Sequence, residues 1–240
     1  MKATTGTVIA VLAVLAAFQV ALVTVVLWGD AVSRATMLMV SGLYLLWILG
    51  FGLVSRLGRD RVRAVISRMR MSRGLKFTLF ATLLALLEEA VTTGMTNLAP
   101  LFGVSVGAAF ITASTNYLDV VLGHSVVVFV PMFAAWAWML GRRAFTPNMV
   151  LITFGLTGML AEAMSFGIQN LASAPFWILV YGLMVYLPAY CLGPGERAEP
   201  PRARDYALAL FLPILAAIPV AAVVGSLHPG PHHFGPGNGP

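Results

Sequence analysis

Seven stretches of this chain are each long and apolar enough to cross a lipid bilayer, and that repeat constrains the fold more than any other feature. A hydrocarbon core about 30 Å thick takes roughly 20 apolar residues as a helix. The stretches are 7–28, 36–55, 77–97, 118–140, 149–167, 175–192 and 206–227. They predict an all-α, polytopic transmembrane helix bundle of about seven spans, forming a single domain over residues 1–227. Composition agrees: 59% of the residues are hydrophobic and only 10% are charged, against about 25% charged in an average soluble domain. A water-soluble globule of this make-up would expose apolar surface that only a membrane or a partner could cover. A cytosolic enzyme, a nucleic-acid module and a disordered chain are thereby excluded.

Charge orients the spans. Eight of the fifteen basic residues fall between Arg56 and Lys76, two more are Arg142 and Arg143, and three are Arg197, Arg202 and Arg204. With seven spans, these links and Lys2 all share one side, and only Arg34 lies on the other. The positive-inside rule then puts the N-terminus in the cytoplasm and the C-terminus outside. The first apolar stretch runs about 20 residues, beyond a signal-peptide core, so it reads as an uncleaved span. The expected location is a plasma membrane of prokaryotic type. Nucleic acid is not an expected partner. The expected contacts are the lipid bilayer and, at the basic loop 56–76, anionic lipid. There Val62, Val65, Ile66 and Met69 share one helical face among arginines. That pattern predicts either a short helix in the inner interface or a solvated loop.

Segment 94–117 is less regular, with Asn97, Pro100, Gly103, Gly107, Ser114, Thr115 and Asn116. Reading it as an extra span would move the later arginines outside, so it is expected to be a re-entrant or surface-lying piece on the outer side. The tail 228–240 is rich in Gly and Pro and is expected to be disordered. Its His228, His232 and His233 could capture a metal. Trp28, Trp136, Trp138, Trp177 and Tyr206 fall mostly at span ends and read as interface anchors. Pro131, Pro188, Pro213 and Pro219 lie inside spans and imply kinks.

Ionisable groups at bilayer depth cost at least ~2.5–3.5 kcal/mol on insertion scales, so they need a partner or a purpose. Glu88, Glu89, Asp119, Glu162 and His124 lie within or beside spans. Helix rise places Glu88 about 17 Å into its span, Glu162 about 20 Å, and His124 about 9 Å from the opposite face. Glu89, His124 and Glu162 could therefore meet in the outer half, with Asn97, Asn116 and Asp119 above them. A carboxylate beside His124 could act as a general base, and a neutral carboxyl could donate a hydrogen bond. The alternative is that these groups only glue helices together.

Several chemistries lack their residues. The single cysteine, Cys191, allows no disulfide and no Cys-based metal site. One histidine within the spans is too few for a bis-histidine haem or a three-histidine zinc centre, and no span interior carries a lysine for a retinal Schiff base. No nucleotide-binding loop and no Gly-x-Ser-x-Gly is present. No cofactor and no metal is expected.

The run Glu88-Glu89-Ala-Val-Thr-Thr-Gly94, with His124 downstream, resembles the intramembrane glutamate proteases of the CAAX-protease and bacteriocin-processing type. That family opens its site with Glu-Glu-x-x-x-Arg, continues with Phe-x-x-x-His and ends with His-x-x-x-Asn. The resemblance implies Glu88 or Glu89 as the base activating water and His124 as the oxyanion or water partner. Thr93 stands at the arginine position and Val120 at the phenylalanine, and the third motif is absent. Gly155, Gly158, Glu162 and Phe166 are similar to the glycine-rich helix of a second type, the PrsW kind, whose lysine position holds Thr92. Three functions remain open: a membrane-embedded hydrolase, a proton- or cation-coupled carrier using Glu162, Glu89, Asn97, Asn116 and Asp119, and a non-catalytic subunit or scaffold.

Overall fold

The structure, a computed structural model, describes residues 5–230 and 232–234. Among the described residues nine α-helices follow in chain order: α1 (Thr5–Val26), α2 (Ala31–Leu43), α3 (Gly52–Arg68), α4 (Arg73–Asn97), α5 (Tyr117–Gly123), α6 (Val126–Leu140), α7 (Pro147–Phe166), α8 (Ala174–Leu192) and α9 (Ala203–Leu227). No strand is present among the described residues, which hold three isolated β-bridges. Five helical stretches are long and apolar enough to cross a membrane: Thr7–Val26, Ala31–Arg68, Pro147–Ser165, Ile168–Leu192 and Ala203–Leu227. The pair α5 and α6, bent by 46° at Gly123–Ser125, makes a sixth. Helix α4 has the length, at 25 residues, but Glu88, Glu89 and five threonines lower its hydropathy.

Helix α4 carries the clearest membrane signature. Leu79, Leu83 and Leu87 recur at helical spacing on its outer face and are about half exposed. Glu88, Glu89, Thr92, Thr93 and Thr96 on the other face are buried. Apolar outside and carboxyls inside reverses the pattern of a helix in water and suits one facing lipid. The bundle is thus all-helical and compatible with a membrane protein.

At the centre, α7 and α8 pack most closely. A Cβ at Gly155 would overlap the backbone of Ile178, one at Gly158 the ring of Tyr181, and one at Gly182 the carbonyl of Leu151, 2.6 Å away. Small residues let the two backbones approach, as in lipid-embedded helix pairs. The glycines likened to the second protease type are therefore spent on packing, and the side chain of Phe166 lies outside the described residues. Trp136 is fully buried against Phe145, with ring centroids 5.4 Å apart. It is a core residue and not the interface anchor its place in the sequence suggested.

The second span does not end at Ser55. From Ala31 the chain stays helical to Arg68, passing through a π-helical stretch at Tyr44–Phe51. There Trp47 donates its indole N–H to the Val180 carbonyl at 3.0 Å and stacks on Phe51. The arginines of 56–68 ride on this extension, so no separate interfacial helix exists. Ile66 is buried, while Val65 and Met69 are exposed.

The arginine-bearing links meet at one end of the bundle. Ala144 donates to the Glu199 carbonyl at 2.8 Å, and Glu199 to Arg142 at 3.1 Å. Arg143 bridges Glu199 and Asp205, and hydrogen bonding to Glu199 holds its guanidinium above the usual arginine range. At the same end Tyr190 donates to Asp60 at 2.7 Å, under the guanidinium of Arg59. At the opposite end Asp30 caps α2 by accepting the Ser33 N–H at 2.7 Å. That backbone bond pulls the Asp30 carboxyl below its ordinary range.

Candidate functional site

Between the two ends lies a cavity of about 830 Å³ bordered by α1, α2, α4, α6, α7, α8 and α9. That is within the size range of small-molecule sites. Its walls are largely aliphatic and aromatic, including Phe129, Phe176 and Trp177. Three carboxyls open onto it: Glu88 and Glu89 from α4, and Glu162 from α7.

Helical geometry sets their roles. Glu88 and Glu89 point about 100° apart around the helix, yet both are buried because α4 is enclosed on that whole side. The Glu89 carboxylate accepts hydrogen bonds from the hydroxyls of Thr92, at 3.1 Å, and Thr112, at 3.4 Å. Thr92 is one turn along α4. Thr112 lies in the irregular chain between Phe102 and Asn116. Through Thr112 this chain lies alongside the last turns of α4. It is pinned by Ile111, whose N–H donates to Thr96 Oγ1 at 3.2 Å, and by Asn97, whose side chain donates to the Thr115 carbonyl at 2.9 Å.

Glu162 accepts a hydrogen bond from the Tyr181 hydroxyl of α8. The Glu88 carboxyl makes no hydrogen bond or ion pair among the described residues, although the residue is only 4% exposed. Two further buried polar atoms on the cavity wall lack partners among the described residues: the side-chain oxygen of Gln19 and the indole N–H of Trp177. A ligand or water with both donors and acceptors would satisfy them.

The other candidates separate. His124 borders the cavity, but its Nε2 faces His233 Nδ1 at 3.1 Å and Asp119 at 3.8 Å. No hydrogen bond joins it to Glu88 or Glu89 among the described residues. Asn97 spends its amide on the carbonyls of Thr93 and Thr115. Asn116 caps α5 by accepting the Leu118 N–H at 3.0 Å. Asp119 faces histidines rather than the carboxyls. Tyr181, Thr92, Thr112 and Gln19 were not singled out from the sequence. Thr92, at three and four residues from the two glutamates, was the one legible hint. Comparison with known proteins gives no match to a family model, to a curated protein or to a solved structure.

Proposed function

We propose that the protein is a proton- or cation-coupled membrane carrier with seven spans, its arginine-rich end in the cytoplasm. The observation that carries this reading is the convergence of Glu88, Glu89 and Glu162, from two helices, on one cavity with apolar and aromatic walls. Carboxyls at this depth are costly unless they bind protons or cations. Aromatic faces add attraction for an organic cation. The break between α5 and α6, with the irregular chain through Thr112, resembles the discontinuous elements at which carriers bind substrates.

The test is reconstitution of the full chain in proteoliposomes with an imposed pH gradient. Tetraphenylphosphonium, a compact organic cation, serves as probe. Uptake that collapses with the gradient, and that Glu88→Gln or Glu162→Gln abolishes, supports the carrier. Uptake equal to that of empty liposomes, with no binding of the probe to the purified protein, refutes it.

A second reading rests on one observation: Glu88, Glu89 and His124, the residues that match the glutamate-protease pattern, border the same cavity. There Glu88, whose carboxyl has no hydrogen-bond partner among the described residues, would activate water, and His124 would orient it. Cleavage of a membrane-embedded reporter peptide, lost in Glu88→Gln, would favour this hydrolase over the carrier.

A further inference from the structure

The chain has four histidines, one at 124 and three between 228 and 233. The fold brings all of them to one place, at the end of the bundle opposite the arginine-rich links. His124 sits in the bend between α5 and α6. His228 follows the last turn of α9, and Gly230, at φ 111°, turns the chain back. His233 is then fixed by its own backbone, which donates to the Ala113 carbonyl at 2.7 Å. Phe110 packs on His232 and Phe234 and holds the return segment down.

Three side-chain atoms form a small triangle. His124 Nε2 and His233 Nδ1 are 3.1 Å apart. Asp119 Oδ2 is 3.4 Å from His233 Nδ1 and 3.8 Å from His124 Nε2. A triangle with sides 3.1, 3.4 and 3.8 Å has a circumradius of about 2.0 Å, which matches zinc–nitrogen and zinc–oxygen bond lengths of about 2.0–2.2 Å. His228 Nδ1 lies 3.8 Å from the other oxygen of Asp119, placing a third imidazole beside the triangle. The cradle depends on Gly123, where a Cβ would come 2.9 Å from Asp119 Oδ1 and 3.4 Å from His228 Nδ1.

Hydrogen bonds alone do not account for this arrangement. His233 Nδ1 faces both His124 and Asp119, and a ring nitrogen offers one proton or one lone pair. It cannot serve both neighbours, whereas one cation at the centre satisfies all three atoms.

The geometry points to a binding site for a divalent transition metal of the zinc class, held by Asp119, His124 and His233 with a fourth position open beside His228, that clamps the C-terminal segment over one mouth of the cavity. Imidazole with one carboxylate suits zinc and its neighbours. Calcium, which takes six to eight oxygens, is excluded by the donor set. The site does not depend on what the cavity binds, because Glu88, Glu89 and Glu162 are not among its ligands.

The test uses the purified full-length protein in detergent, stripped with a chelator and titrated with zinc by calorimetry and with cobalt by absorption spectroscopy. One ion per chain and the visible bands of tetrahedral cobalt are expected. His233→Ala, in the tail where folding of the bundle is not at stake, and His124→Ala should each weaken zinc binding by more than the 10–100-fold typical of losing an outer-shell partner. His124→Cys should restore binding and add a thiolate-to-cobalt charge-transfer band. No saturable zinc binding by the wild type would overturn the proposal. So would wild-type affinity in His124→Ala, which would mean adventitious capture by the tail histidines alone.

Discussion

Replacing Gly158 by alanine tests whether the α7–α8 contact also builds the site. The new Cβ would overlap the Tyr181 ring and lie 2.7 Å from the Tyr181 Cβ. Carbon atoms rest at about 3.5–4.0 Å, so the tyrosine must retreat by about 0.8 Å or more. Its Cβ cannot move without α8, which is already tight against α7 at Gly155 and Gly182. Overpacking of this kind costs about 1–3 kcal/mol. The retreat also pulls the Tyr181 hydroxyl from Glu162, and a buried polar group that loses its partner costs about 1–3 kcal/mol more. Alanine's better helix propensity returns about 1 kcal/mol, leaving a net loss of about 1–5 kcal/mol. Reversible unfolding in mixed detergent micelles measures it. Gly94→Ala is the control: it lies in α4 with open space where the Cβ would go, and should stabilise by about 0.4–1 kcal/mol. The reasoning fails if Gly158→Ala falls within about 0.5 kcal/mol of wild type, the range of surface substitutions away from special features.

Three more outcomes follow from the same structure. Leu83→Asp, on the outward face of α4, should cost about 2.5–3.5 kcal/mol in membrane insertion. A glycosylation-based insertion assay reads it, and an unaffected insertion level would mean that this face does not meet lipid. Trp47→Phe removes the second donor to the buried Val180 carbonyl, which keeps its helical partner inside α8, and should destabilise by about 0.5–1.5 kcal/mol, seen in the same unfolding assay. Asp30→Ala should fray the first turn of α2 at neutral pH, seen as faster amide hydrogen exchange there. The Asp30 carboxyl is held below its ordinary range by Ser33. Its contribution is therefore present above the unfolded pKa and lost as pH falls through the lower folded value. Wild type and variant should then exchange alike in strong acid, and a difference that persists there would contradict the cap.

How much of this was legible depended on the kind of signal. Apolar run length placed the helices. Counting helix rise put Glu89 and Glu162 at compatible depths, but which way each side chain turned came from packing, through Gly158 against Tyr181. Tyr181 itself is hidden in an apolar run and carries no pattern. The arginines mask the continuation of the second span to Arg68, because so basic a run has the composition of a link. The absence of any Gly or Pro from Arg59 to Ser72 was the sign that the helix goes on. The histidine cluster was the least legible part. His124 is more than a hundred residues from the other three in the chain, and it alone lies within a span.

The unbroken rod from Ala31 to Arg68 is 38 residues long, about 57 Å, against a hydrocarbon slab of about 30 Å. Its partner α8 stops near the level of Arg59, whose carbonyl faces Cys191. Nine further residues, about 13 Å, run past that level before the chain turns at Met69, and Ile66 among them is buried against the bundle. Arg61, Arg63 and Arg68 are exposed along this extension. Charge is thus carried beyond the end of α8 on a helix still anchored by its apolar side, with Arg68 farther out than the roughly 8 Å over which salt damps an electric field at physiological strength.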